Sequence, residues 1–294
     1  MTHFIQSLVD AISSGAVYAL AALGIGLVFG VMRLANFAHG ELITSAAYTL
    51  VLSWHLGAVV AIVLSLIVPV VLAIAMELVV FRHLRAANPA TLLIASFGLS
   101  FLLQALYQYL FGSSARSAAV APGLAKSVDV FGLQLKLLSL VTILLAAILL
   151  VGLQLFLRQT SIGLQVQAAS SDFRMARLLG VRANRVIMLT FALSGVLAAA
   201  VAFVQTVQGV QVISTFGAPV TIFALIGAVI GGIDRLTGAL VGGFAVGFAL
   251  SELRTWLPFS LVSMADLFVF LLVIVALVAR PAGLLVQSGG VERT

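Results

Sequence analysis

The chain has 294 residues, of which 15 are Lys or Arg and 9 are Asp or Glu, so charged side chains make up only 8% against roughly a quarter in soluble domains. With 63% hydrophobic residues and a mean hydropathy of +1.26, it carries more apolar surface than one core can hide. That excludes a soluble globule and makes lipid the solvent for most of the chain. The absence of cysteine excludes disulfides, thiolate metal sites and a thiol nucleophile, and the net charge of +6 reads as a positive-inside bias, with no nucleic-acid partner.

The opening MTHFIQSLVD lacks a basic region and a cleavage site, so it is read as mature sequence. A helix needs about 20 apolar residues to cross a hydrocarbon core of roughly 30 Å. Gly15 to Gly30 supplies the first run and is followed by Arg33, Asn36, His39 and Glu41. Leu42 to His55 is short, and Ala58 to Phe81 carries one acid, Glu77, expected to pair with Arg82 at the membrane edge. Thr91 to Phe111 follows, then the polar stretch Gly112 to Lys136, then the clearest span, Leu137 to Leu157. Val186 to Ile233 holds 48 residues without a formal charge, enough for two passes around Gln205, Gln208 and Gln211, with Gly217 and Pro219 as punctuation. Gly238 to Leu253 and Leu267 to Ala279 complete a predicted all-α, polytopic transmembrane helical bundle of about eight to ten crossings with discontinuous helices. It forms a single domain over 1–294. Asp266, at the boundary of the last span, reads as a helix cap or a contact for an outer partner.

Placing the 158–185 loop inside also places Arg33, Arg82, Arg85, Arg235, Arg280 and Arg293 inside. With the five arginines of the loop this makes eleven basic residues inside, against Arg116, Lys126, Lys136 and Arg254 outside. The asymmetry predicts an outer N-terminus and a cytoplasmic C-terminus.

Two polar interruptions stand out, Phe29 to Glu41 and the glycine-rich IGGIDRLTGALVGG at Ile230 to Gly243. Paired interruptions in two halves of a membrane chain point to discontinuous helices around a substrate path. Ordinary turns, with Asp234 and Arg235 in water, are the other reading. Candidate pathway residues are Asn36, His39, Glu41, Gly231 and Gly232. Glu41 reads either as a path lining or as the partner of Arg33 in a buried turn, since an ionisable group at a helix centre costs about 2.5–3.5 kcal/mol on insertion scales. Asn36 either bonds freed backbone groups or faces substrate. Gly227, Gly231, Gly232 and Gly238 also suit close helix packing. Ser194, in FALSGVL, has no histidine near it in sequence and reads as helix packing; no catalytic or metal site is expected.

Within 158–185, SSDFRMARLLGVRANR reads as a short amphipathic helix capped by Ser171 or Asp172 and closed by Gly180 in the left-handed position. Phe173, Ala176 and Leu179 or Gly180 fall on one face, Arg174 and Arg177 on another. Spacing alone leaves two occupants open, anionic membrane lipid or a cytoplasmic protein.

GAVYALAALGIGLVFGVMRLANFAHGE at Gly15 to Glu41 resembles the opening of LivH-type permeases, the membrane subunits of branched-chain amino acid ABC importers, with Asn36 to Glu41 matching that family's Asn-Phe-Ala-His-Gly-Glu stretch. MELVVFRHLR at Met76 to Arg85 resembles a second family stretch, with His83 where proline is usual. DFRMARLLGV at Asp172 to Val181 resembles the family's coupling motif through Asp172, Ala176, Leu179 and Gly180. The resemblance implies half of a translocation path and an alternating-access cycle coupled through Asp172, Arg174, Ala176, Arg177, Leu179 and Gly180. Its implied partners are a second permease subunit, related or identical, two cytoplasmic ABC ATPase subunits and an extracytoplasmic substrate-binding protein. It also implies a bacterial inner-membrane location and a small amino acid such as leucine, isoleucine or valine as substrate. Another small solute (urea, an amide, a sugar) and an ion-coupled secondary transporter are the alternatives. ATP and Mg belong to the partners, because neither Lys126 nor Lys136 sits in a phosphate-binding loop and this chain needs no cofactor of its own.

Overall fold

In a computed structural model the apolar runs are helices, because a backbone in hydrocarbon must satisfy its own hydrogen bonds. The structure describes residues 2–85, 87–130 and 133–279, so Arg280 and Arg293 lie outside the described residues. In chain order the helices are α1 (Thr2–Met32), α2 (His39–Ser53), α3 (Ala58–Leu84) and α4 (Pro89–Phe111). A two-stranded antiparallel hairpin follows, β1 (Ser127–Val130) paired with β2 (Leu133–Lys136), a local exception to the all-helical expectation. Then come α5 (Leu137–Gln159), α6 (Ser161–Ser171), α7 (Phe173–Leu178) and α8 (Ala183–Val207). The chain continues through α9 (Ala218–Gly231), α10 (Leu236–Trp256) and α11 (Ala265–Ala279). Among the described residues six helices, α1, α3, α4, α5, α8 and α10, are long and apolar enough to cross a membrane. At 1.5 Å per residue the shorter α2 and α9 reach only about 20 Å, roughly two thirds of a hydrocarbon core.

Helix α1, apolar from Gly15 onward and largely buried, is the central element, contacted by α5, α8, α9 and α10, while α2 packs on α3 and α8. Small residues set these distances. A Cβ at Gly242 would lie 1.9 Å from the Gly227 carbonyl and one at Gly231 1.9 Å from the Gly238 carbonyl, so α9 and α10 touch backbone to backbone. Gly15 rests under Phe244 and Gly26 against Ala239, which fits α10 onto α1.

Charged contacts gather at the two ends of the bundle. At one end Arg33 pairs with Asp234, and Arg85 pairs with buried Glu77 while donating to Asn184 Oδ1 at 2.5 Å. The expected Glu77–Arg82 pair does not form. Residues Glu77–Phe81 make one wide π turn, which rotates the following turn so that Arg85 reaches Glu77 and Arg82 faces outward. At the other end Lys136 Nζ donates to Asp10 at 3.1 Å and Arg254 to Asp266 at 2.9 Å, so Asp266 ties α10 to the first turn of α11.

Gly242→Leu should push α10 off α9 and cost about 1–3 kcal/mol, as overpacking does. It should lower the apparent unfolding temperature in detergent, whereas Gly152→Ala, with nothing within 4 Å of its Cβ, should not. Equal melting of the two variants would contradict the backbone contact.

Candidate functional site

Helix α1 ends at Met32, and Arg33 takes a left-handed φ of 54° while its N–H closes the last turn on the Phe29 carbonyl at 2.7 Å. Residues 33–38 are non-helical, and α2 begins at His39. The break is therefore shorter than the expected Phe29 to Glu41, and His39, Gly40 and Glu41 belong to the first turn of α2. Asn36 holds that turn. Its Oδ1 accepts from the Ala38 N–H at 3.1 Å and its carbonyl from the His39 N–H at 3.2 Å.

The depth of this turn follows from its neighbours. The His39 ring fills the space over Gly24, where a Cβ would lie 2.6 Å from Cε1, and Gly24 is eight residues, about 12 Å, back from the end of α1. His39 Nδ1 lies 3.0 Å from Ser194 Oγ, halfway along α8, and Gly195 packs on the backbone of Pro69 and Val70, near the middle of α3. The N-terminus of α2 thus sits deep in the bundle. Ser194, expected to be far from any histidine, has one as a hydrogen-bond partner. Both are buried, at 1% and 0% exposed, so the pair is a clasp between α2 and α8 with no water-accessible nucleophile.

Glu41 is 0% exposed and is not paired with Arg33, which reaches Asp234 at the polar end instead. Its Oε1 accepts from Ser100 Oγ and Gln104 Nε2, both at 2.8 Å, and Tyr107 OH donates to its carbonyl at 2.9 Å. Ser96 Oγ bridges the Ala35 carbonyl and the Phe37 N–H at 3.4 Å each, and Phe37 stacks on Phe97 at 3.9 Å between ring centres. One face of α4 therefore clamps the break. Sequence reading missed this face, although Ser96, Ser100, Gln104 and Gln108 recur every four residues in a largely apolar helix and were its legible signal. Asn36 Nδ2, His39 Nε2 and Glu41 Oε2 have no hydrogen-bond partner among the described residues.

Of the two readings of the second interruption, the structure shows the ordinary turn. Gly232 to Arg235 is a four-residue turn at the polar end between α9 and α10, with Gly232 at φ 99° and Asp234 exposed. Gly231 and Gly232 are buried, and Gly231 is packed against Gly238. The counterpart of the first break is the non-helical stretch 208–217, which brings the N-terminus of α9 against that of α2. The Gly217 N–H donates to Thr44 Oγ1 at 3.0 Å, Thr221 Oγ1 donates to the Gly217 carbonyl at 2.9 Å, and a Cβ on Gly217 would fall 2.0 Å from the Gly40 carbonyl. Two short helices thus start side by side deep in the bundle and run to opposite ends.

At the polar end beside Arg33, Asp172 Oδ1 caps α7 by accepting from the Met175 N–H at 2.8 Å, and Gly180 closes it at φ 87°. Ala176 is buried and Phe173 half-buried. Leu179 is 79% exposed, not on the inner face, and with Leu178 at 76%, Met175, Arg174 and Arg177 it forms an apolar, basic-rimmed outer face. Phe173 lines a cavity of about 190 Å³ together with Arg33, Arg85 and Ile187, so α7 abuts the first break. No group of three or more metal-ligating side chains occurs among the described residues.

A polytopic bundle with two opposed part-length helices that start deep within it, and a short exposed helix at one end, is the kind of architecture that suits a membrane transport protein. A profile of the family described as "Branched-chain amino acid transport system / permease component" matches residues 7–277, and the chain belongs to that family. It is 30% identical to the high-affinity branched-chain amino acid transport system permease protein BraD of Pseudomonas aeruginosa, over 84% of this chain and 85% of the relative. It is also 30% identical to the LivH permease protein of Escherichia coli K12, over 96% of each. Its fold resembles a chain of PsaBC from Streptococcus pneumoniae in complex with Fab, with a TM-score of 0.51 and 16% identity over 91% of this chain and 89% of that one.

Gln104→Leu should leave the buried Glu41 carboxylate short of a donor and cost about 1–3 kcal/mol, while Gln104→Leu with Glu41→Leu should recover most of it. Thermal unfolding of the four variants in micelles checks the cycle. An unchanged midpoint for Gln104→Leu alone would contradict the clamp.

Proposed function

We propose that this chain is the membrane-spanning permease subunit of an ATP-driven importer for branched-chain or related small amino acids. The observation that carries the reading is the exposed Met175, Leu178 and Leu179 face of α7, rimmed by Arg174 and Arg177 and set against the first break through Phe173. A capped helix with an apolar, cationic outer face suits an acidic-rimmed groove on a cytoplasmic ATPase subunit, and the names of the BraD and LivH relatives supply the substrate class.

In this mechanism two cytoplasmic ABC ATPases bind and hydrolyse ATP with Mg, and this chain has no catalytic role. A second permease subunit, related or identical, completes the path, and an extracytoplasmic binding protein delivers substrate. Asp172, Ala176 and Gly180 fix α7 as a lever, and Arg174, Arg177 and Leu179 make the contact. Motion passes through Phe173 to the end of α1 and reorients α2 and α9 about their shared start, where Asn36, His39 and Glu41 line or gate the path. Gly231 and Gly232 serve that motion as the close joint between α9 and α10. The chain lies in the bacterial inner membrane with the α7 end and the C-terminus in the cytoplasm.

Arg177→Glu should reduce recovery of the ATPase subunits with the tagged permease at least tenfold while leaving membrane insertion unchanged. Undiminished recovery would sink the coupling assignment. In proteoliposomes, leucine uptake should require ATP on the α7 side; uptake driven by a proton or sodium gradient with this chain alone would replace the importer with a secondary transporter.

A further inference from the structure

At the end of the bundle opposite α7 lies a cavity of about 510 Å³, bounded by α1, α5, α8 and α10. It is separate from Asn36, His39 and Glu41 and meets the 208–217 stretch only at Gln208, where that stretch leaves α8. Its lining combines three kinds of chemistry. Asp10 on α1 supplies a negative pole, and Lys136, just before α5, and Arg254 on α10 supply positive ones. The buried side chains of Leu138, Val207 and Leu250 make an apolar wall.

We propose that this cavity is a transit site for an aliphatic zwitterionic α-amino acid, its carboxylate toward Lys136 and Arg254, its ammonium toward Asp10 and its side chain on the leucine and valine wall. The inference rests on the importer reading above and adds to it where the substrate first meets this chain. A carboxylate and an ammonium on one carbon need charges of both signs within one small space, and an aliphatic tail needs an apolar surface beside them. The two signs come from different elements. The poles are free to exchange partners, because they are engaged only in partly exposed pairs. Asp10 accepts from Lys136 at 3.1 Å and from Ser139 Oγ at 2.8 Å, and Arg254 donates to Asp266 at 2.9 Å. Such pairs contribute little to stability, and water reaches them when they open, so a ligand replaces them without stranding a buried charge. Binding of this kind is weak, as a site that must pass its ligand on requires. A monocarboxylate or an alkylamine satisfies one sign only, and a sugar satisfies neither.

The chain contains no cysteine, so Gln208→Cys, at an exposed position on the cavity lining, gives this chain one thiol, whose labelling is read on this chain after the subunits are separated. In the complete transporter in lipid nanodiscs, leucine should slow reaction of that thiol with a charged thiol reagent at least threefold. 4-Methylpentanoate and isoamylamine, each lacking one pole, should not. Adding Asp10→Asn, or separately Lys136→Gln, should abolish protection by leucine, and either folded variant suffices as the test. The proposal is overturned if leucine gives no protection, if both one-pole analogues protect as well as leucine, or if only the substrate-free binding protein protects, which would make the cavity a protein-docking surface. ATP-dependent leucine uptake by the unmodified transporter is measured beside it. Uptake without protection removes the transit site and leaves the importer reading intact, whereas absent uptake counts against the importer reading itself.

Discussion

A helix interrupted within hydrocarbon frees backbone N–H and C=O groups that have no water to turn to, and each left unpaired there costs several kcal/mol. In this protein that constraint is met at the start of α2, and the surrounding architecture is arranged to meet it. Asn36 supplies an acceptor to the first turn, Ser96 bridges the backbone of 35 and 37, and Tyr107 takes the Glu41 carbonyl. Across the bundle, Thr44 accepts the Gly217 N–H, so the first turn of α9 is held by α2. The partners come from distant parts of the chain, Ser96 and Tyr107 on α4, Ser194 on α8 and Gly217 at the start of α9, which is why these elements converge on the start of α2 although sequence separates them widely. Glycines at 24, 40 and 217 let them come close enough for those bonds to form.

The consequence is a bundle with a polar joint at its centre and ionic contacts at its ends. The joint is fully desolvated, so its hydrogen bonds are strong and their loss is expensive. The end contacts are largely exposed, Arg33 to Asp234 and Arg254 to Asp266 among them, and are worth about 0–1 kcal/mol each. In the proposed cycle the ends are therefore the easier place to rearrange and the centre is the pivot. Helix α7 meets the bundle at the end that carries Arg33, and Phe173 and that residue line one cavity, so in the proposed cycle a displacement of α7 would act at the far end of a lever whose fulcrum is the α2 start. The opposite end holds the mixed-charge cavity, on the same central helix α1 but some 23 residues away, about 35 Å along its axis.

Most of the spans were legible because charge-free runs of about 20 residues have no other stable fate in a membrane. The ends of α7 were legible too, since Asp172 and Gly180 act within one turn of themselves. The break after Arg33 was visible as a polar run, but its partner was misplaced. Ile230 to Gly243 looks like an interruption because it is rich in glycine and charged, yet its glycines are buried where α9 packs on α10, and its charges, Asp234 and Arg235, are exposed in the turn between them. The true counterpart, 208–217, was legible only as the uncharged polar segment at Gln208 and Gln211 punctuated by Gly217, and without a formal charge it reads as a turn between two passes. Ion-pair choices failed for a related reason. Glu77 prefers Arg85 over Arg82 because of one π turn, and Arg33 prefers Asp234, two hundred residues away, over Glu41. Such choices depend on rotation and depth, which spacing along the chain does not encode.

The central claim is that α2 and α9, joined at their starts, swing about that joint when ATP is bound. Because the chain has no cysteine, nitroxide labels at His55→Cys, just beyond the far end of α2, and Asp234→Cys, just beyond the far end of α9, report the swing directly; both positions are exposed. Pulsed electron–electron resonance on the complete transporter should give a distance distribution that shifts by several ångström between the nucleotide-free and ATP-trapped states. A single unchanged distribution in a labelled transporter that still hydrolyses ATP and takes up substrate would contradict the account.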